Sequence, residues 1–178
     1  MMKRFLLVVA ILLTGIDCFA QLHLEDGVVY CDDDYLIIGR IQANFIDDMA
    51  VCQYPEGYAF MLLEGDKVLV TVNLGEDRDQ AIGGMRDFIE LAMTKSSKRS
   101  EFHLKDISGK DVQMLVYPEN TDALKTKVRL FCPSENMGSG IVLLNNLYYF
   151  PKVLEKYPGV QFRNSSQTAT ETITTPTL

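Results

Sequence analysis

Imidazole is scarce in this chain: 178 residues hold two histidines, His23 and His103. No CxxC, HExxH, GxSxG, Walker loop or dinucleotide GxGxxG occurs. Those absences remove the local signatures of dithiol redox chemistry, zinc hydrolysis, hydrolase nucleophiles and phosphate-loop binding. A membrane-crossing run is missing too. Such a helix needs about 20 apolar residues, and the one candidate run is interrupted by Asp17, a charge costly in hydrocarbon. Basic charge is the minority, with 17 Lys and Arg against 24 Asp and Glu. An acidic surface repels phosphate backbones, which excludes nucleic acid as a favoured partner.

What stands at the start is an address. Lys3 and Arg4 precede an unbroken apolar run from Phe5 to Leu13. Cys18-Phe19-Ala20 then sets a small residue at each end of a triplet before Gln21. The pattern predicts a signal peptide over 1–20, removed on export. An uncleaved anchor and a buried core helix are the alternatives. Bacterial lipoprotein signals place a small residue before the modified cysteine; here Asp17 precedes Cys18, which argues against lipidation. Cleavage removes Lys3, Arg4 and Asp17, leaving 15 basic and 23 acidic residues, net −8. The remaining 158 residues suit one domain, placed over 21–163, followed by a tail. Residues 164–178, "NSSQTATETITTPTL", predict a disordered Ser/Thr-rich tail, with Asn164 in a glycosylation sequon that matters only in a eukaryotic host. The expected location is periplasmic or secreted.

Export favours disulfides, and three cysteines remain: Cys31, Cys52 and Cys132. Three allows one internal pair. Cys31 with Cys52 closes a loop of about 20 residues, worth roughly 3 kcal/mol in the chain-entropy model. The alternative is three small buried hydrophobes.

Periodicity outlines an α+β chain with a mainly antiparallel sheet. Strands are expected at 27–31, 35–45 (with Gly39 a bulge) and 49–54. Hairpins are expected over 58–74, turning at Gly65-Asp66, and over 101–117, turning at Ser108-Gly109. The run 126–132 reads as a further strand. Between the hairpins, Ala81, Ile82, Met85, Phe88, Ile89, Ala92 and Met93 form one apolar stripe. That predicts an amphipathic helix over about 77–95 on one face of the sheet. Asp77 and Gln80 form a capping box, and Lys95 and Lys98 suit the helix end. Residues 141–157 fit either a strand plus a helix or one helix disturbed at Pro151; a short C-terminal helix from about Asn146 to Tyr157 is favoured.

Few residues remain for chemistry. A Cys/His nucleophile would need His103 beside Cys52 or Cys132, yet His103 alternates with Phe102 and Leu104 onto a polar face. The acidic run 32–34 fails the calcium-loop pattern, because Leu36 stands where a ligand is needed, and reads as a solvated turn. Neither a metal nor another cofactor is indicated. "FHLKDISGK" (102–110) resembles the early hairpin of thioredoxin-like exported reductases over those residues alone, without their paired cysteines. Gly83-Gly84 is costly inside a helix, at about 1 kcal/mol each relative to alanine. Either another segment or a partner approaches that backbone, or an exposed face tolerates the weakness. Tyr148 and Tyr149 splay apart on a helix, so one can pack while the other meets a partner or small ligand. The expectation is a non-enzymatic exported binding domain. The alternatives are a cysteine-dependent enzyme using His103 and a structural part of an envelope assembly.

Overall fold

Hairpins organise most of the molecule. The computed structural model describes residues 22–25, 28–42, 47–93, 98–119, 122–133 and 139–163. The leader with Cys18, Lys95, and the tail with Asn164 lie outside the described residues. In chain order the strands are β1 (Leu22–Glu25), β2 (Val28–Cys31), β3 (Leu36–Ile41), β4 (Asp48–Tyr54), β5 (Gly57–Glu64) and β6 (Lys67–Gly75). Helix α1 (Arg78–Ala92) follows, then β7 (Ser100–Lys105), β8 (Asp111–Tyr117), a 3-10 turn (Ala123–Lys125), β9 (Lys127–Phe131) and β10 (Gly140–Leu143). Two helices, α2 (Leu144–Leu147) and α3 (Tyr149–Lys156), lead to β11 (Gln161–Phe162). The strands form two four-stranded antiparallel meanders, β3-β4-β5-β6 and β10-β9-β8-β7, and a small sheet ordered β1-β2-β11. The molecule is therefore α+β, as the periodicity predicted.

Local chemistry explains the turns. Glu64 pairs with Lys67, leaving Gly65-Asp66 as a two-residue connection with Gly65 at φ 63°. Such turns require positive φ and favour glycine. The register of β3 against β4 slips between Ile37 and Gly39, placing the bulge beside Gly39. In the β7–β8 loop, Asp106 accepts from the backbone N–H groups of Ser108 (2.9 Å) and Lys110 (2.7 Å). Its carboxylate thus replaces water for two donors that the loop leaves unpaired.

Asp77 caps α1, accepting from the Gln80 N–H at 2.8 Å. Gln80 Oε1 accepts from Glu76 N–H (3.0 Å), one residue before the cap, rather than from Asp77. The helix stops at Ala92 with no basic residue in its last turn, so Lys98 lies beyond the helix instead of completing it. Ala81, Met85, Phe88, Ile89 and Ala92 are buried, as the stripe predicted. Met93, at the cap, is 51% exposed because the helix ends there.

The ambiguous stretch 141–157 is a strand followed by two short helices. Pro151 is third in α3, where its missing N–H has no helical partner to lose. Strands β1 and β11 carry no sequence signal strong enough to predict them. They form because β2 offers both edges: β1 pairs antiparallel on one side and β11 parallel on the other. Gln53 secures the approach to β11. Its Nε2 donates to Val160 O (3.0 Å), and its Oε1 accepts from Tyr157 Oη (2.9 Å) and Val160 N (3.2 Å).

Two apolar clusters follow from strand alternation. The main one draws on all three sheets and on α1, α2 and α3, from Cys31 to Val160. Phe60 on β5 meets Phe88 of α1 at 5.3 Å and Phe150 of α3 at 5.6 Å, ring centre to ring centre. The smaller cluster holds Ile37, Ala50, Cys52, Ala59, Met61 and Leu63. Met49 and Val51 face the first, Ala50 and Cys52 the second. The clusters therefore lie on opposite faces of the β3–β6 sheet.

Candidate functional surface

The thiols and imidazoles are held apart. Cys31 and Cys52 are not bonded to each other. Cys31 packs in the main cluster and Cys52 in the smaller one, so the expected bridge is corrected by sheet alternation. Cys52 is fully buried and donates to Ala59 O at 3.3 Å. Burial pushes its thiol well above the ordinary range, so it is protonated at neutral pH and a poor nucleophile. Cys132 belongs to the main cluster, facing the core from the end of β9. His103 stands on the opposite face of that sheet: it is register-matched to Gln113, which is matched to Phe131, the residue before Cys132. Its side chain is 66% exposed, with Glu101 Oε1 at 3.7 Å. Neither Cys52 nor Cys132 shares a site with His103.

The acidic run is divided rather than convergent. Asp32 Oδ2 lies 2.8 Å from His23 Nε2, and Arg163 Nε lies 3.9 Å from Asp32 Oδ1. Asp33 and Asp34 are exposed in the bend between β2 and β3. His23 is thus part of an ordered strand, tied to the turn that follows its partner strand. Arg163 also meets Glu25 at 2.5 Å and lies over the Tyr30 ring. These contacts fasten the β1-β2-β11 sheet.

Gly83 and Gly84 have different causes. A Cβ on Gly84 would sit 3.0 Å from the Leu74 carbonyl carbon and closer still to its oxygen. The segment approaching the helix is the chain's own β6, and glycine permits the approach. A Cβ on Gly83 would meet nothing within 4 Å. The pair is one packing requirement beside one tolerated weakness.

Tyr148 and Tyr149 are both at the surface, 39% and 47% exposed. Tyr148 joins α2 to α3, and its hydroxyl donates to Met93 Sδ at 2.9 Å. Tyr149 sets its ring against the edge of Phe150, 5.4 Å between centres. Each ring is held on one side and open on the other. Such rings offer broad contact with little freedom left to lose. Met93 and Leu124, each 51% exposed, and Tyr117, 38% exposed, also belong to this end of the molecule. The sequence reading counts Met93 in the buried stripe and singles out neither Leu124 nor Tyr117. Met93 continues the buried stripe in sequence, and Leu124 sits in a stretch without periodicity. No family model matches the chain, and neither curated proteins nor solved structures show a match to it.

Proposed function

We propose that this chain is a non-enzymatic exported domain that binds a partner outside the cytoplasm through the surface around Tyr148 and Tyr149. The observation carrying the proposal is the pair of adjacent half-exposed tyrosines, one fixed by Met93 and the other by Phe150. Anchored aromatic side chains give up little rotamer entropy on association and supply large contact area. The setting outside the cytoplasm, periplasmic or secreted, rests on the leader's charge, apolar run and small-residue triplet. The cysteine-enzyme reading loses support because His103 faces solvent while Cys52 and Cys132 face apolar interiors.

Tyr148→Ser with Tyr149→Ser tests this reading. In fractionated native cells the unaltered chain is expected to travel with its partner. The double variant should travel as free monomer and remain folded by circular dichroism, with a melting temperature lowered by loss of the Met93 and Phe150 contacts. His103→Ala should behave like the unaltered chain. Retained association in the tyrosine variant, or its loss in His103→Ala, would count against the proposal.

A further inference from the structure

Among the described residues seven large hydrophobic side chains are exposed, and five of them gather at one end: Met93, Tyr117, Leu124, Tyr148 and Tyr149. Topology brings them together. Tyr117 ends β8 opposite Lys127, which starts β9 opposite Leu143 at the end of β10. The 3-10 turn carrying Leu124 leads into β9, and α2 leaves β10, with Leu144 N donating to Thr126 O at 3.0 Å. Tyr148 closes the group by reaching Met93 at the end of α1.

Exposed cations stand beside these side chains in sequence or register: Lys98 and Arg99 lead into β7, whose Ser100 pairs with Val116, Lys125 ends the 3-10 turn, Lys127 pairs with Tyr117, and Lys152 lies on α3. The described carboxylates placed in the same way are Glu90, Glu101, Glu119 and Asp122, the last 3.5 Å from Lys125. Five cations thus stand beside four carboxylates here, whereas in the whole chain acids outnumber bases 24 to 17. At 0.1 M salt the Debye length is about 10 Å, so the acidic body beyond that distance is largely screened from a surface touching this end.

We propose that this end seats on an anionic lipid surface, with the apolar tips in the headgroup boundary and the lysines and arginine over the phosphates. The inference rests on the binding reading above and names its partner. The apolar groups stand on separate tips: a helix end, a 3-10 turn, a helix junction and a strand end. A flat or concave patch would suit a protein partner better. Separate apolar tips interspersed with long basic side chains suit a headgroup layer, where tyrosine and lysine are both at home.

The test is co-sedimentation of the full chain with vesicles of equal phosphatidylglycerol and phosphatidylcholine, beside phosphatidylcholine alone. Binding is expected only with the anionic lipid, and 1 M salt should abolish it by cutting the Debye length to about 3 Å. Lys125→Gln with Lys127→Gln should weaken it about 30-fold, taking about 1 kcal/mol for each cation at the surface. Met93→Ser with Leu124→Ser should weaken it as well, while Leu24→Ser, far along the sequence on β1, should not. All these side chains are exposed, and circular dichroism checks that each variant is folded. Equal binding to neutral vesicles, no binding, or binding unchanged in Met93→Ser/Leu124→Ser overturns the proposal. If vesicles fail while Tyr149 crosslinks to a protein in cells, the lipid assignment falls and the binding reading stands.

Discussion

Replacing Phe60 with alanine is expected to destabilise the fold by about 3–5 kcal/mol, the range for a fully buried aromatic side chain. Phe60 has no exposed surface and stacks on helices at two separate points of the chain, through Phe88 and Phe150. Removing the ring takes away its transfer free energy and leaves a void bounded by β5, α1 and α3. Those elements are each tied elsewhere. Sheet pairing holds β5, and α1 and α3 are joined by the Arg86–Glu155 contact at 2.9 Å. Collapse into the void is therefore restricted, which keeps the cost toward the upper part of the range. Domains commonly have only about 5–15 kcal/mol of stability in total. Urea unfolding followed by circular dichroism should show a large fall in midpoint at nearly unchanged slope. A change under 1 kcal/mol would mean that the three rings do not meet at the centre of the core.

The second large effect is a difference in sign between adjacent glycines. Gly84→Ala is expected to cost about 1–3 kcal/mol, because a methyl group there must push the helix off β6. Its obstacle is the Leu74 backbone, which cannot rotate away as a side-chain tip can. Gly83→Ala is expected to stabilise by about 0.5–1 kcal/mol, since the site is open and alanine loses less backbone entropy in a helix. The same chemical change, one residue apart, thus separates tertiary crowding from helix propensity. Equal shifts of one sign for both would refute the close approach of α1 to β6.

The sequence made some of this legible and hid the rest for physical reasons. Helix α1 announced itself because its apolar stripe serves one purpose, covering a sheet. The hairpin at Gly65-Asp66 was legible because its backbone demands a rare conformation that few residues supply. β11 was not, since two residues at Gln161–Phe162 carry no period, and the strand exists only because β2 has an edge to offer. Cys31 and Cys52 looked like partners by loop length, but loop length says nothing about which face of a sheet a side chain occupies. The reading of His103 on a polar face did follow from alternation, which is local. The surface around Tyr148 was half legible. Two adjacent tyrosines are visible in a string of letters; their meeting with Met93, 55 positions earlier, depends on where α1 ends.

Binding through the tyrosine surface, rather than catalysis by a thiol and imidazole, is tested most directly by site-specific photocrosslinking in native cells. A benzophenone amino acid replaces Tyr149 in one chain and His103 in another, both positions being exposed. The account predicts a strong, discrete adduct from position 149 and none from position 103. Adducts at 103 with none at 149 would contradict it.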